Sequence, residues 1–405
     1  MITLDEAQAE VLGACKPGPT REVETSSALG LVLAEGVYAG EPVPAFRNTA
    51  MDGYALHAAD VASASPQRPV RLKVVGTRAA GSAGIFSVGR GEALRIMTGA
   101  LFPDGADAVA IVEDTRSDGD HVEVLAPALA GQHIRPAGDD IAAGQLLFDP
   151  GTLLGPGHLG VLCAVGCASV RAFARPVVGV LSTGDELVEA GPPLLPGQIR
   201  DSNRRTLLSL LERDGFRALD LGIARDEEPI IESALGGAVS RCDAILTSGG
   251  VSMGDFDYVK TVLDRIGRMR WMQVAIRPSK PFAFGMIGDT PVFGLPGNPV
   301  SSMVSYELLA RPGLRKIAGY PNAQLKRPSI RATVADGGWR GARDGRTTFV
   351  RVTAEFASDG RMAVSSSGAQ GSHQLYAMAR ANALAVTPPD VSVETGDVVD
   401  VIVLD

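Results

Sequence analysis

Three short stretches in the second half of the chain combine glycines with acids or with the start of a helix. STGDEL at 182–187 places Asp185 beside Glu186. TSGGVSMGDFDY at 247–258 carries Gly249, Gly250 and Ser252, then Asp255 and Asp257. GLPGNPVS at 294–301 passes through Pro296 and Gly297 to Ser301. Glycine lets backbone N–H groups approach a ligand closely, and free N–H groups at a helix start favour an anion. Taken singly, each stretch is also an ordinary turn, since Gly, Ser, Pro and Asn are common turn formers. Together, backbone anion donors beside paired carboxylates suit a phosphorylated ligand bridged by a divalent metal.

Further candidates lie earlier in the chain. NTAMDGYAL at 48–56 holds one acid, Asp52. The run 96–114 holds Thr98 beside a glycine, and IRPAGDDI at 134–141 supplies Arg135, Asp139 and Asp140. Each alone reads as a structural loop or a solvated charged turn. Standard nucleotide motifs fail. There is no Walker A sequence, and GPGHLG at 155–160 matches G-x-G-x-x-G only formally, because no clear strand precedes it. Cys15, Cys163, Cys167 and Cys242 are too sparse for a disulfide scaffold. Cys163 and Cys167 lack further ligands at metal-site spacing and read as buried small hydrophobes.

Loops of this kind need a rigid scaffold, and the text around them supplies one. From 174 to 318, apolar strands (176–181, 217–223, 243–247, 272–276, 282–285, 292–295) mix with helices near 204–213, 228–240, 258–266 and 300–317. That rhythm predicts an α/β domain over 173–320, with a mostly parallel sheet covered on both faces. In such a sheet, ligands bind outside the carboxyl ends of the strands, where all three loops fall. Residues 26–140 read as an irregular, strand-rich domain. A linking region is expected from 1–25 plus 141–172, and a small closed or sandwich-like β domain from 321–405.

The 405 residues carry a net charge of −8 and are 45% hydrophobic, enough for several globular cores. The acidic balance argues against nucleic acid as a partner. MITLDEAQAE lacks the features of a signal peptide, and no apolar run reaches the ~18 residues a spanning helix needs. The expectation is a cytosolic protein with no membrane partner.

MDGYA (51–55), MTGA (97–100), the run 135–141, STGDEL, DSNR (201–204), SGGVSMGDFDY (248–258), KPFAFG (280–285), GLPGNPVS and QGSH (370–373) occur in an order and spacing that resemble the molybdopterin molybdenumtransferase family, bacterial relatives of the gephyrin E domain. The resemblance spans essentially the whole chain. It implies an elongated homodimer with four regions per subunit and a cleft between the α/β domain of one subunit and the irregular domain of the other. Asp52 and Thr98 would then act across the interface. The implied reaction inserts molybdate into adenylylated molybdopterin, releases AMP and uses magnesium, with possible hand-over to an adenylyltransferase and to molybdoenzymes. The resemblance makes Asp185, Glu186, Asp226 and Asp257 acids of the cleft, Asp226 and Asp257 metal ligands, and Asp140 a weaker candidate. Gly249, Gly250, Ser252, Pro296 and Gly297 would contact the ligand, while Arg277, Lys280, Ser301, Arg351 and Ser372 would hold the oxyanion. Two departures stand out. The family often has Lys where this chain has Gln273, and Lys-Pro-Gly where it reads Arg277-Pro278-Ser279. A paralogue handling tungstate, an adenylyltransferase-like nucleotide binder and a non-catalytic scaffold are the alternatives.

Overall fold

The computed structural model describes residues 1–82, 84, 86–250 and 258–404. Its centre is a six-stranded sheet. With α1 at Leu4–Ala14, the elements of this domain are β1 (Val177–Thr183), α2 (Ser202–Arg213), β2 (Arg217–Ala224), α3 (Glu228–Val239), β3 (Ala244–Ser248), α4 (Tyr258–Ile266), β4 (Arg268–Gln273), β5 (Pro281–Ile287), β6 (Thr290–Leu295) and α5 (Pro299–Ser305). The strand order is β2-β1-β3-β6-β5-β4. The first four strands are parallel, and β5 runs antiparallel to both neighbours. β1 and β3 read as near-continuous apolar runs because helices cover both faces. Helices α1, α2 and α5 bury one face, and α3 and α4 the other.

α1 is not part of the linking region, where sequence reading puts it. Thr3 and Glu6 form a capping box that starts the helix. Its apolar stripe, Ala7 and Val11, is then fully buried in the α/β core. The dock explains an irregularity in the last helix of the domain. The expected single helix 300–317 is α5, a π turn at Tyr306–Ala310 and a final helix at Arg311–Ile317. Pro312 has no N–H to give the carbonyl four residues back. Gln8 of α1 gives it one instead, its Nε2 donating to Leu308 O at 2.7 Å.

The linking region draws on residues expected in the strand-rich domain. Thr20–Glu24 pairs with Ser169–Phe173, and Val37–Tyr38 pairs with Leu146–Phe148. Val43 exchanges backbone bonds with Ile141. Residues 26–43 therefore pack with 141–173, around Leu33, Leu154, Leu162 and Val170. Cys163 is exposed, contrary to expectation, because its helix (Pro156–Ala164) turns the face of Leu162 inward, and Cys167, beyond the helix end, is half-buried.

The strand-rich domain is a six-stranded sheet with Gly53–Leu56 between Ala108–Ile111 and Glu92–Ile96. Gly53 has no room for a side chain, since a Cβ there would sit 2.1 Å from Ala110 O. Gly53→Ala is expected to destabilise this domain by about 1–3 kcal/mol, read as a lower denaturant midpoint with an unchanged slope. In the C-terminal domain, Thr347–Phe356, Met362–Ser366, Ser329–Asp336, Val398–Val403 and Ala383–Thr387 pair in turn. The last pairs back to the first, closing a barrel without free edges. Ile276–Arg277 adds to Thr347–Thr348, fastening barrel to sheet.

Candidate active site at the carboxyl edge of the sheet

The strand ends bring the expected loops together. Beyond β1 and β2, the backbone N–H of Asp226 donates to Asp185 Oδ1 at 3.3 Å. Burial raises the Asp226 carboxyl above its ordinary range, and the charges of Asp185 and Glu186 add to that rise. Acids pressed together in this way supply hard oxygen ligands, the chemistry a divalent cation takes. Among the described residues, no three His, Cys, Asp or Glu side chains converge closely enough to hold a metal. Asp257, with Asp255 and Ser252, lies outside the described residues.

β3 and β6 form the glycine floor. The Gly249 N–H donates to Leu295 O at 3.1 Å, and Gly297 lies close to Gly249. Gly250 has a φ of +70°, and a Cβ there would sit 2.3 Å from that of Val259. Only glycine fits both restrictions.

Asn203 ties the floor together and had no role assigned from sequence. Its Nδ2 donates to Ser248 Oγ at 2.8 Å and to Gly297 O at 2.7 Å. Asp201, capping α2, accepts from Arg204 N and from Ser182 Oγ, each at 3.1 Å. Arg204 is buried between Asp201, Asp220 and Glu189. The signal was present in DSNR: Asp ahead of an apolar helical repeat is a cap signature, and the next residues face the sheet edge.

At the barrel junction, Arg351 is fully buried. Its Nη2 donates to Ala369 O at 2.7 Å and Gly371 O at 3.3 Å, while Nε and Nη1 have no partner among the described residues. Burial pushes the guanidinium down to about 10, so it stays charged at neutral pH. An unpaired buried cation is costly unless something meets it. Ser372 is next to Gly371, and its carbonyl accepts from Val300 N at 3.1 Å. That contact sets the barrel loop against the first turn of α5, where Ser301 is buried. Arg277 pairs in register with Thr348, three residues before Arg351. Arg277 and Lys280 are exposed, and Gln273 is half-buried. Backbone pairing thus joins the strand of Arg351 to Arg277, and the Ser372 loop to the first turn of α5.

Asp52 and Thr98 stand apart from these loops. Thr98 donates from both N and Oγ1 to Asp52 Oδ1, at 2.7 Å each. Those two bonds hold the exposed Asp52 carboxyl below its usual range, with Arg95 assisting. Among the described residues, no hydrogen bond or ion pair joins Asp52 or Thr98 to the α/β loops. Asp140 and Arg135 lie at the base of the same domain, Asp140 N donating to Val43 O at 2.9 Å.

Three family models match the chain: the MoeA N-terminal region (domain I and II) over 2–166, a probable molybdopterin binding domain over 179–316, and the MoeA C-terminal region (domain IV) over 341–404. Among curated relatives, the molybdopterin molybdenumtransferase of Haemophilus influenzae is 37% identical over 388 residues, 95% of this chain and 94% of that one. Molybdopterin molybdenumtransferase 2 of Mycobacterium tuberculosis is 37% identical over 389 residues, with 95% and 94% covered. The crystal structure of a molybdopterin biosynthesis MoeA protein from Pyrococcus horikosii superposes with a TM-score of 0.82 at 32% identity, covering 100% of this chain and 99% of that chain.

Proposed function

The chain belongs to the MoeA family of molybdopterin molybdenumtransferases, transferases of molybdenum cofactor biosynthesis, and from that premise we propose that it joins molybdate to adenylylated molybdopterin in the cytoplasm, with release of AMP. The observation that carries this reading is Arg351, a buried guanidinium whose Nε and Nη1 have no hydrogen-bond partner among the described residues, on the strand that pairs with Arg277. Molybdate is a tetrahedral dianion, so charge-assisted N–H and O–H donors from several sides suit it. Arg351 and Ser372 approach from the barrel, and Arg277, Lys280 and Ser301 from the α/β domain.

The phosphates of the pterin ligand lie on Gly249, Gly250, Pro296 and Gly297, whose loops Asn203 holds in register. Magnesium would be held by Asp226 and Asp257, with Asp185 and Glu186 as further acids of the cleft; when bound, it would offset pyrophosphate charge and polarise the phosphorus. The dithiolene of the ligand supplies sulfur for molybdenum, so no protein thiol is required. Burial pushes the Cys15 thiol up to about 12, which keeps it out of such chemistry. Tungstate has the same tetrahedral shape and charge, so it enters the same pocket as a competitor. The working protein is a homodimer that hands its product to molybdoenzymes.

Incubation with adenylylated molybdopterin, magnesium and molybdate tests the reading, with AMP release as the signal. Absence of AMP release without molybdate-dependent product would refute it. Within that assay, Arg351→Ala is expected to raise the molybdate concentration needed by roughly tenfold to a hundredfold, the loss of one charge-assisted bond. Binding of the adenylylated pterin should barely change. An unchanged molybdate requirement with weakened pterin binding would place Arg351 in the pterin pocket instead.

A further inference from the structure

Ser279 lies between Arg277 and Lys280 in a backbone conformation that disfavours side chains other than glycine. Its φ is +82° and it is 3% exposed. A buried residue keeps such strain only where its surroundings over-determine it. Here the Ser279 hydroxyl is hydrogen-bonded to the hydroxyl of Ser305, which is fully buried. Ser305 follows Ser301 by four residues on α5, so both occupy one helix face. The loop is thus pinned one turn along the helix from Ser301.

Its two ends are fixed as well. Arg277 pairs with Thr348 on the strand that carries Arg351, and Lys280 O accepts from Val274 N at 2.7 Å. Yet neither the Arg277 nor the Lys280 side chain makes a hydrogen bond or ion pair among the described residues. In a chain with a net charge of −8, two neighbouring cations without a carboxylate partner are available for an added anion.

Resting on the oxyanion pocket proposed above, we infer that the Ser279–Ser305 hydroxyl pair is a positioning device that fixes the spacing of Arg277 and Lys280 for a tetrahedral dianion. A glycine at 279 adopts the same φ without strain but leaves the loop untied. Serine accepts the strain in exchange for the tie, and the loop is held ready before the anion arrives.

The test is a molybdate titration of AMP release by Ser279→Ala, Ser279→Gly and Ser305→Ala, with Arg351→Ala alongside. Each serine variant should raise the half-saturating molybdate about threefold to tenfold, the effect of one hydrogen bond. The rate at saturating molybdate and the binding of adenylylated molybdopterin should stay near wild type. Ser279→Ala with Ser305→Ala should be no worse than either alone, because both remove the same tie. Ser279→Gly keeps the test sound if Ser279→Ala folds poorly, since it relieves the backbone. Wild-type half-saturation in both Ser279→Gly and Ser305→Ala overturns the inference, as does a parallel loss of pterin binding. If Arg351→Ala also leaves the molybdate requirement unchanged, the pocket itself fails. If Arg351→Ala raises it and the serine variants do not, only the positioning role fails.

Discussion

Asp226→Asn is expected to lower AMP release by at least about a hundredfold, the upper end of what even an outer partner of a metal ligand costs, while melting no lower than wild type. The Asp226 carboxyl is raised by burial and by the Asp185 and Glu186 charges. The folded protein therefore holds that proton more tightly than the unfolded chain does. Stability from the bound proton is complete below the ordinary carboxylate pKa of about 3.9 and is lost as pH rises through the raised folded value. At neutral pH the ionised Asp226 burdens the fold, and asparagine removes the charge while keeping the shape. The variant's advantage in melting temperature should thus be larger at pH 7.5 than at pH 4. Magnesium should raise the wild-type melting temperature, because a ligand of the folded state stabilises it. In Asp226→Asn that shift should shrink. A variant that loses activity and stability together, with its magnesium response intact, would make Asp226 a structural residue.

That coupling of fold to chemistry bears on what could be read from residues alone. The α/β rhythm was legible because β1 and β3 open with unbroken apolar runs and the helices between them keep their periods. The positions of the STGDEL and GLPGNPVS loops follow from that rhythm, since the strand ends carry them to one edge. Residues 26–43 were not legible. Their short strands look like those of the neighbouring domain, and nothing local says that their partners lie across the whole of that domain, as Ile141 does for Val43 and Ala172 for Leu33. α1 has the same difficulty, because an amphipathic helix announces that it will be buried but not against what. The gap left by Pro312, which Gln8 fills, exists only once the two helices meet. Arg351 reads as one arginine in an alternating strand, and its burial comes from closure of the barrel and the loop at 369–371. Asn203 was visible as text in DSNR, yet its role depends on two loops that come far later in the chain.

The separation of Asp52 and Thr98 from the α/β loops leads to the second large effect. Two bonds from Thr98 hold the exposed Asp52 carboxylate in place, and among the described residues no hydrogen bond or ion pair ties it to the α/β loops. If the cleft is shared across a two-fold dimer, Asp52 serves the partner's Glu186 side. Subunits carrying Asp52→Ala and subunits carrying Glu186→Ala should each be inactive alone. After mixing and exchange, a mixed dimer holds one intact cleft and one doubly damaged cleft. Random exchange makes about half the dimers mixed, so the mixture should recover roughly a quarter of wild-type AMP release, as isologous geometry requires. The two damaged proteins must be shown to exchange, for instance by affinity capture of one tag and detection of the other. Exchange without recovered activity would place Asp52 and Glu186 in the same subunit's cleft. Recovery near a quarter would fix the site as shared.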